Sequence, residues 1–193
     1  SLSSMSRNFD TYAARQKQAR WAPLPATHHQ DWPVGIMGLG KLGAHVAAAV
    51  ASLGYPVAGW ARSPREQAGV EVFHGTAQFH DFLGRTRVLV NLLPLTPETR
   101  GIINRDLLQA LRPDAVVINI ARGGHVVDAD LLAALASGRL QGAVLDVFNQ
   151  EPLPEDHPYW SHPKVRVTPH IAAVTLEADA AEQISRRILN LEQ

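Results

Sequence analysis

Residues 34–43 read Val34-Gly35-Ile36-Met37-Gly38-Leu39-Gly40-Lys41-Leu42-Gly43, a short apolar run that ends in G-x-G-x-x-G and opens a helical pattern. Strand, glycine turn and helix in that order can cradle a pyrophosphate. Gly38 permits the tight turn, Gly40 lets the backbone approach the ligand, and Gly43 lets the helix lie against the strand. The helix N-terminus, with Lys41 and Leu42, adds N–H groups that favour negative charge. The alternative is a tight strand–helix turn that binds nothing. The surrounding pattern favours a dinucleotide.

Outward from this turn the same texture recurs. Further short apolar runs occupy 57–60, 88–92, 115–120, 143–147 and 165–167, with helical patterns between them. Such alternation predicts an α/β protein with a Rossmann-type, doubly wound parallel sheet. In the first helix Leu42, Val46, Val50 and Leu53 fall on one face, and Gly54 supplies a stop. Asp128 is placed to cap a helix carrying Leu131, Leu132 and Leu135 that ends near Gly138. Thr175 is placed to cap another, with Ile184, Ile188 and Leu191 on one side. Upstream, 5–20 reads as a polar helix with a thin apolar stripe of Phe9, Tyr12 and Ala13. Pro23 and Pro25 then open a linker through Asp31. The expected division is a helix and linker at 1–31, a dinucleotide-binding domain at 32–174 and a C-terminal helix at 175–193.

Composition narrows the function. Of 193 residues 46% are hydrophobic and 19% charged, enough to build a core. Eighteen basic residues balance eighteen acidic ones, which argues against broad attraction to nucleic acid or an anionic membrane. Without cysteine there is no disulfide scaffold, thiolate metal site or cysteine nucleophile. The most apolar stretch, 43–61, is broken by His45, Gly54 and Pro56, so no membrane span is expected. The N-terminus lacks a secretory pattern, and a cytoplasmic protein is expected. Among the nine histidines, His28 and His29 sit in the linker, and His74 and His80 flank the third strand. His157 and His162 lie in a Pro-rich loop where Trp160 reads as a packing residue, with a place in the substrate wall as the less favoured alternative. No spacing suggests a metal ligand set, and no metal is expected.

The ribose end carries a second signal. An NAD site places Asp or Glu about 20 residues beyond the glycine turn. Here 59–65 reads Gly-Trp-Ala-Arg-Ser-Pro-Arg, with no acid before Glu66. Arg62, Ser63 and Arg65, just after Trp60, offer donors where NADP carries its extra phosphate. The alternative is a solvated basic loop. NADP is favoured over NAD.

Three segments in the second half each place a polar residue just past an apolar run: Arg122 after 115–120, Glu151 after 143–147, and His170 after 165–167. In a parallel sheet the carboxyl ends of the strands share one edge, where ligands bind. Reduction of a 2-oxo acid needs a cation for the carboxylate, a hydride donor and an acid for the developing alkoxide. Arg122 suits the first need and His170 the last, with Glu151 orienting the imidazole and favouring its protonated form. Singly these are a surface arginine, a helix-start glutamate and a loop histidine. Together at strand ends they read as a catalytic set.

At these residues the sequence resembles the D-isomer-specific 2-hydroxyacid dehydrogenase family. The matching stretches are VGIMGLGKLGAHVA, RVLVNLLPLTPETRGIIN, VINIARGGHVVDADLLAALASGRLQGAVLDVF, QEPLPEDHPYW and TPHIAAVT. The resemblance implies that Arg122 binds substrate, Glu151 orients the histidine and His170 is the acid/base. It also implies that Leu93, Pro94, Ile120 and Asp146 line the nicotinamide end, Asp146 meeting the carboxamide. It points to a branch that uses NADPH to reduce small 2-oxo acids such as glyoxylate or hydroxypyruvate to 2-hydroxy acids. An NAD-dependent enzyme of the phosphoglycerate or formate dehydrogenase kind, and a non-catalytic dinucleotide-binding module, are the alternatives. The family has two lobes and forms dimers through its cofactor domains, so a homodimer is expected. The residues present match the cofactor lobe with its connecting helices, so the chain alone is expected to turn over weakly or not at all.

Overall fold

In the computed structural model, which describes residues 8–172, strands and helices alternate along the chain. The order is α1 (Phe9–Lys17), β1 (Val34–Met37), α2 (Lys41–Ser52), β2 (Val57–Ala61), β3 (Glu71–His74) and α3 (Phe79–Arg85). It continues with β4 (Val88–Asn91), α4 (Arg105–Ala110), β5 (Ala115–Asn119), α5 (Asp128–Ala136), β6 (Leu140–Leu145) and β7 (Val165–Val167). Single 3-10 turns occupy His29–Asp31 and Gly123–His125.

All seven strands are parallel, in the spatial order β3-β2-β1-β4-β5-β6-β7. The predicted doubly wound sheet is therefore present, and its strand order reverses between β1 and β4. Ligands of open α/β sheets bind in the crevice at that reversal. The central strands carry uncharged aliphatic runs because both their faces are covered: every residue of β1, β4 and β5 is buried. On one face Phe82, Leu107, Leu108, Leu131 and Leu135 from α3, α4 and α5 close the core. On the other, Trp32, Ala47 and Tyr55 pack on Ile36, Val90 and Val116.

Several expectations need correction. The third strand is Glu71–His74 itself; His74 ends it and His80 lies in α3 rather than beside the strand. The sixth strand starts at Leu140 and ends at Leu145, earlier than the apolar run at 143–147 suggested. In α2 the inward face is Gly43 and Ala47, with Val46 and Val50 half-buried, while Leu42 and Leu53 are exposed. The cause is close approach. A Cβ on Gly43 would lie 1.9 Å from the Gly38 carbonyl oxygen, so the small residues must turn inward. Asp128 does not cap α5, whose cap is Val127; its carboxylate accepts from Tyr159 Oη at 2.8 Å and Asn149 Nδ2 at 2.9 Å. Tyr159, 2% exposed, is the packing aromatic of its loop, whereas Trp160 is 53% exposed with its indole N–H on the Pro154 carbonyl.

The linker is anchored. His29 stacks on Tyr55 with ring centroids 4.2 Å apart, and Trp32 is buried beneath the Arg87 guanidinium. The expected polar helix is α1, where Phe9 and Tyr12 remain exposed. The helix expected after Thr175 lies outside the described residues.

Candidate active site

The carboxyl ends of β1, β4, β5 and β6 border a cleft of about 660 Å³. Its floor at one end is the glycine turn. Gly38 has φ of 105°, a left-handed conformation suited to glycine, and its N–H donates to the Trp60 carbonyl at 3.0 Å. Gly40 is different: a Cβ there would meet nothing of the protein within 4 Å. The fold itself has no need of glycine at Gly40, whereas a ligand lying on the turn does. Lys41, Leu42 and Gly43 line the cleft at the start of α2, and Leu42 is exposed to it because the helix turned its small residues inward. These residues fit a dinucleotide pyrophosphate.

Beyond the turn, Arg62 and Ser63 are exposed at the end of β2. Arg65 is also exposed, but its guanidinium donates to the Leu39 carbonyl and so ties this loop to the glycine turn. Trp60 is not among the cleft-lining residues. Its indole packs on Phe79 at 4.7 Å and donates to the Gly75 carbonyl at 2.9 Å, so its link to the turn is through its own carbonyl.

At the other end, Leu93, Pro94, Ile120, Arg122, Asp146 and His170 line the same cleft. Each is carried by a loop with its own buried support. Asn91 and Asn119 close β4 and β5 in register, both 0% exposed, with Asn91 Nδ2 donating to Asn119 Oδ1 at 3.0 Å. Asn91 Oδ1 then accepts the Leu93 N–H at 3.2 Å, and Asn119 Nδ2 donates to the Arg122 carbonyl at 3.0 Å. The backbone of the loop after β6 crosses the arginine turn at Gly123, where a Cβ would sit 1.8 Å from the Phe148 carbonyl carbon. Only glycine fits there.

Asp146 does the corresponding work for the histidine. It is 2% exposed, and its carboxylate accepts from the Thr168 hydroxyl and from the N–H groups of Ile171 at 3.0 Å and Ala172 at 2.9 Å. Its carbonyl accepts the His170 N–H at 2.8 Å. His170 itself has φ of 54°, a strained conformation for a non-glycine residue that persists because these bonds fix its own amide, the Thr168 side chain before it and the Ile171 and Ala172 amides after it. Burial alone would raise the Asp146 carboxyl, but the Thr168 hydroxyl and the two N–H donors outweigh it and hold the group below the usual carboxylate range.

Glu151 lies outside the cleft lining but reaches the histidine, with His170 Nδ1 donating to its Oε2 at 2.8 Å. Its other oxygen accepts the Phe148 N–H at 2.9 Å. The hydrogen bond from His170 is the main cause that keeps Glu151 ionised below its ordinary value. With Nδ1 engaged, Nε2 is the ring nitrogen available to a ligand. Glu151, Trp160 and His170 also border an adjoining apolar recess of about 440 Å³.

The three residues expected as a catalytic set are thus brought to one edge, Arg122 and His170 into one cleft with Glu151 behind the ring. Reasoning from single residues missed Asn91, Asn119, Thr168 and the buried His125. The one trace in the sequence is an asparagine next to the last residue of the runs 88–92 and 115–120, and it acquires meaning only once the two strands are neighbours.

Residues 1–172 match the D-isomer specific 2-hydroxyacid dehydrogenase family, NAD binding domain. The chain is 54% identical over 187 residues to glyoxylate/hydroxypyruvate reductase A of Salmonella paratyphi B, a match that covers 97% of this chain and 60% of that protein. Among solved structures it is similar to a D-isomer specific 2-hydroxyacid dehydrogenase from Xanthobacter autotrophicus in complex with NADPH and MES. That likeness has a TM-score of 0.93 at 41% identity and covers 98% of this chain and 78% of the other. It is also similar to the NADPH-dependent glyoxylate/hydroxypyruvate reductase of Sinorhizobium meliloti in complex with NADP and sulfate, with a TM-score of 0.92 at 42% identity over 98% of this chain and 61% of that one.

Proposed function

The chain belongs to the D-isomer specific 2-hydroxyacid dehydrogenase family, and from that premise we propose that it forms the cofactor-binding part of an NADPH-dependent reductase of small 2-oxo acids, glyoxylate or hydroxypyruvate. One observation carries the reading: Arg122 and His170 line the cleft that begins at the glycine turn, and His170 is braced by Glu151 at 2.8 Å. The chain spans 60% of the length of the reductase from Salmonella paratyphi B.

When bound, the reduced nicotinamide supplies the hydride. Arg122 pairs with the substrate carboxylate through a planar guanidinium whose N–H groups match the two carboxylate oxygens. His170 gives the proton on Nε2 to the oxygen that becomes the hydroxyl, so a 2-oxo acid, a hydride and a proton make one 2-hydroxy acid. Glu151 balances the charge of the protonated ring and keeps Nδ1 occupied. Because His170 is partly exposed, solvent can return the proton. The preference for NADPH is supported by Arg62 and Ser63 and by the absence of an acid between Trp60 and Glu66. The NADPH complex of the Xanthobacter autotrophicus dehydrogenase and the NADP complex of the Sinorhizobium meliloti reductase support it.

The test is His170→Ala in the full-length protein, assayed with NADPH and glyoxylate. Loss of the general acid should lower kcat by about 10²–10⁴-fold and leave NADPH binding near the parent value. Turnover close to that of the parent would end the proposal.

A further inference from the structure

His125 is the one fully buried histidine among the described residues, at 0% exposure, and the chemistry proposed above makes no use of it. It ends the 3-10 turn Gly123–His125 that follows Arg122. Its ring lies between two main-chain carbonyls from different loops, with Nδ1 3.0 Å from the Arg122 oxygen and Nε2 3.3 Å from the Pro94 oxygen. Pro94 and Arg122 both line the cleft, 28 residues apart in the chain on neighbouring strand ends.

The main chain around the ring is already joined. Gly101 N–H donates to the Gly124 carbonyl at 2.9 Å, and Ile103 N–H to the His125 carbonyl at 2.8 Å. Those bonds secure the far end of the 94–103 segment. Near the cleft, the imidazole itself spans the gap between the two loops. A phenylalanine would fill the same space but offer neither carbonyl a donor.

We propose that His125 is a positioning residue for the reduction: packed beside the Pro94 turn, it holds the main-chain carbonyl of Arg122, and so fixes where the guanidinium meets a substrate carboxylate. This rests on the assignment of Arg122 as the carboxylate-binding group. Burial, only partly opposed by the two carbonyls, holds the ring below the ordinary imidazole range, and the charges of Arg122 and Arg100 add to that. The neutral ring therefore has one N–H to give, and the shorter contact assigns it to the Arg122 carbonyl. Asn119 Nδ2 donates to the same oxygen at 3.0 Å. The carbonyl from which Arg122 projects is thus gripped by two buried side chains.

A double-mutant cycle separates bracing from mere packing. The full-length protein is assayed as parent, His125→Phe, Arg122→Gln and the double variant, with glyoxylate as substrate and NADPH binding followed by fluorescence. Losing one net hydrogen bond should raise KM for glyoxylate about tenfold in His125→Phe, with kcat and the Kd for NADPH within about twofold of the parent. In the Arg122→Gln background the same replacement should change KM no further. If Arg122→Gln leaves KM at the parent value, the assignment of Arg122 fails and the bracing role goes with it. If Arg122→Gln raises KM but His125→Phe does not, or costs the same factor in both backgrounds, bracing alone is overturned. Should His125→Phe not fold, His125→Asn decides. It keeps an N–H toward the Arg122 carbonyl and gives up the reach to Pro94, so its KM should match the parent, and a tenfold rise would overturn the proposal.

Discussion

The two ends of the cleft are built on opposite plans. At the β1–β2 end the groups that face a ligand are main-chain atoms of the glycine turn, and the cations beyond them stand in solvent. At the β5–β7 end the groups are side chains, Arg122 and His170, and each projects from a loop held by buried polar residues: Asn119 and His125 under the arginine, Asp146 under the histidine. The difference follows from what each end would do in the proposed reduction. Holding a phosphate needs several N–H donors pointing one way, which a helix N-terminus supplies without side chains. Transferring a proton needs one ring held to within a fraction of an ångström, which an unsupported loop does not provide.

Removing a support from the second end should therefore do the most damage. Asp146→Ala leaves the Thr168 hydroxyl and two loop N–H groups without their acceptor and frees a residue held in a left-handed conformation. Turnover should fall by about a hundredfold or more from misplacement of His170. Stability should fall by about 2–4 kcal/mol, read from denaturant unfolding. The same carboxylate predicts a pH dependence. Its pKa is lower folded than unfolded, so its stabilisation is complete above the unfolded value, near 3.9, and is lost as the pH falls through the folded one. The parent protein should thus lose stability on acidification below about pH 4, and Asp146→Asn should lack that part of the loss. An Asp146→Ala protein with normal turnover would erase the contrast between the two ends.

The contrast also explains what the sequence makes legible. The sheet can be read because β1, β4 and β5 are aliphatic runs buried on both faces, whereas β3 carries Glu71 and His74 on a half-exposed edge and gives no such run. The inward face of α2 cannot be read from apolarity, because contact through Gly43 favours the smallest side chains over the leucines. At the site, Arg122, Glu151 and His170 can be found because each follows a strand. Their supports cannot, since a lone Asn or Asp at a strand end looks like any turn residue. Asn91 and Asn119 become a pair only once β4 and β5 are known to be neighbours in register.

A smaller effect is expected at the glycine turn, where the protein surrounds Gly43 and leaves Gly40 open. Gly40→Ala adds a methyl group into space that no protein atom occupies within 4 Å. Thermal unfolding should therefore stay near that of the parent, with at most about 1 kcal/mol lost for replacing glycine at a helix cap. NADPH binding should weaken by about tenfold or more, because the methyl group separates the phosphates from the N–H donors. Equal loss of folding and binding would mean that Gly40 serves the fold, as the buried supports do at the opposite end.

The smallest and most selective effect belongs to the exposed cations. Arg62 and Arg65 are neighbours in the loop after β2, but the structure gives them different work. The Arg65 guanidinium donates to the Leu39 carbonyl inside the glycine turn, while Arg62 projects at the loop's exposed start, with its charge felt by Glu98. Arg62→Ala should weaken NADPH about tenfold, the worth of one solvent-screened contact to phosphate, and leave NADH nearly unchanged, since NADH carries an uncharged hydroxyl there in place of the phosphate. Arg65→Ala should weaken both cofactors alike, by loosening the turn that each would use. The Arg62 effect should also shrink as salt is raised toward 1 M, where charges in solvent are screened within about 3 Å. Binding titrations of both cofactors at low and high salt measure all of this. If Arg62→Ala weakened NADH as much as NADPH, the cation would be serving the fold rather than the extra phosphate, and the preference for NADPH would lose its support in this loop.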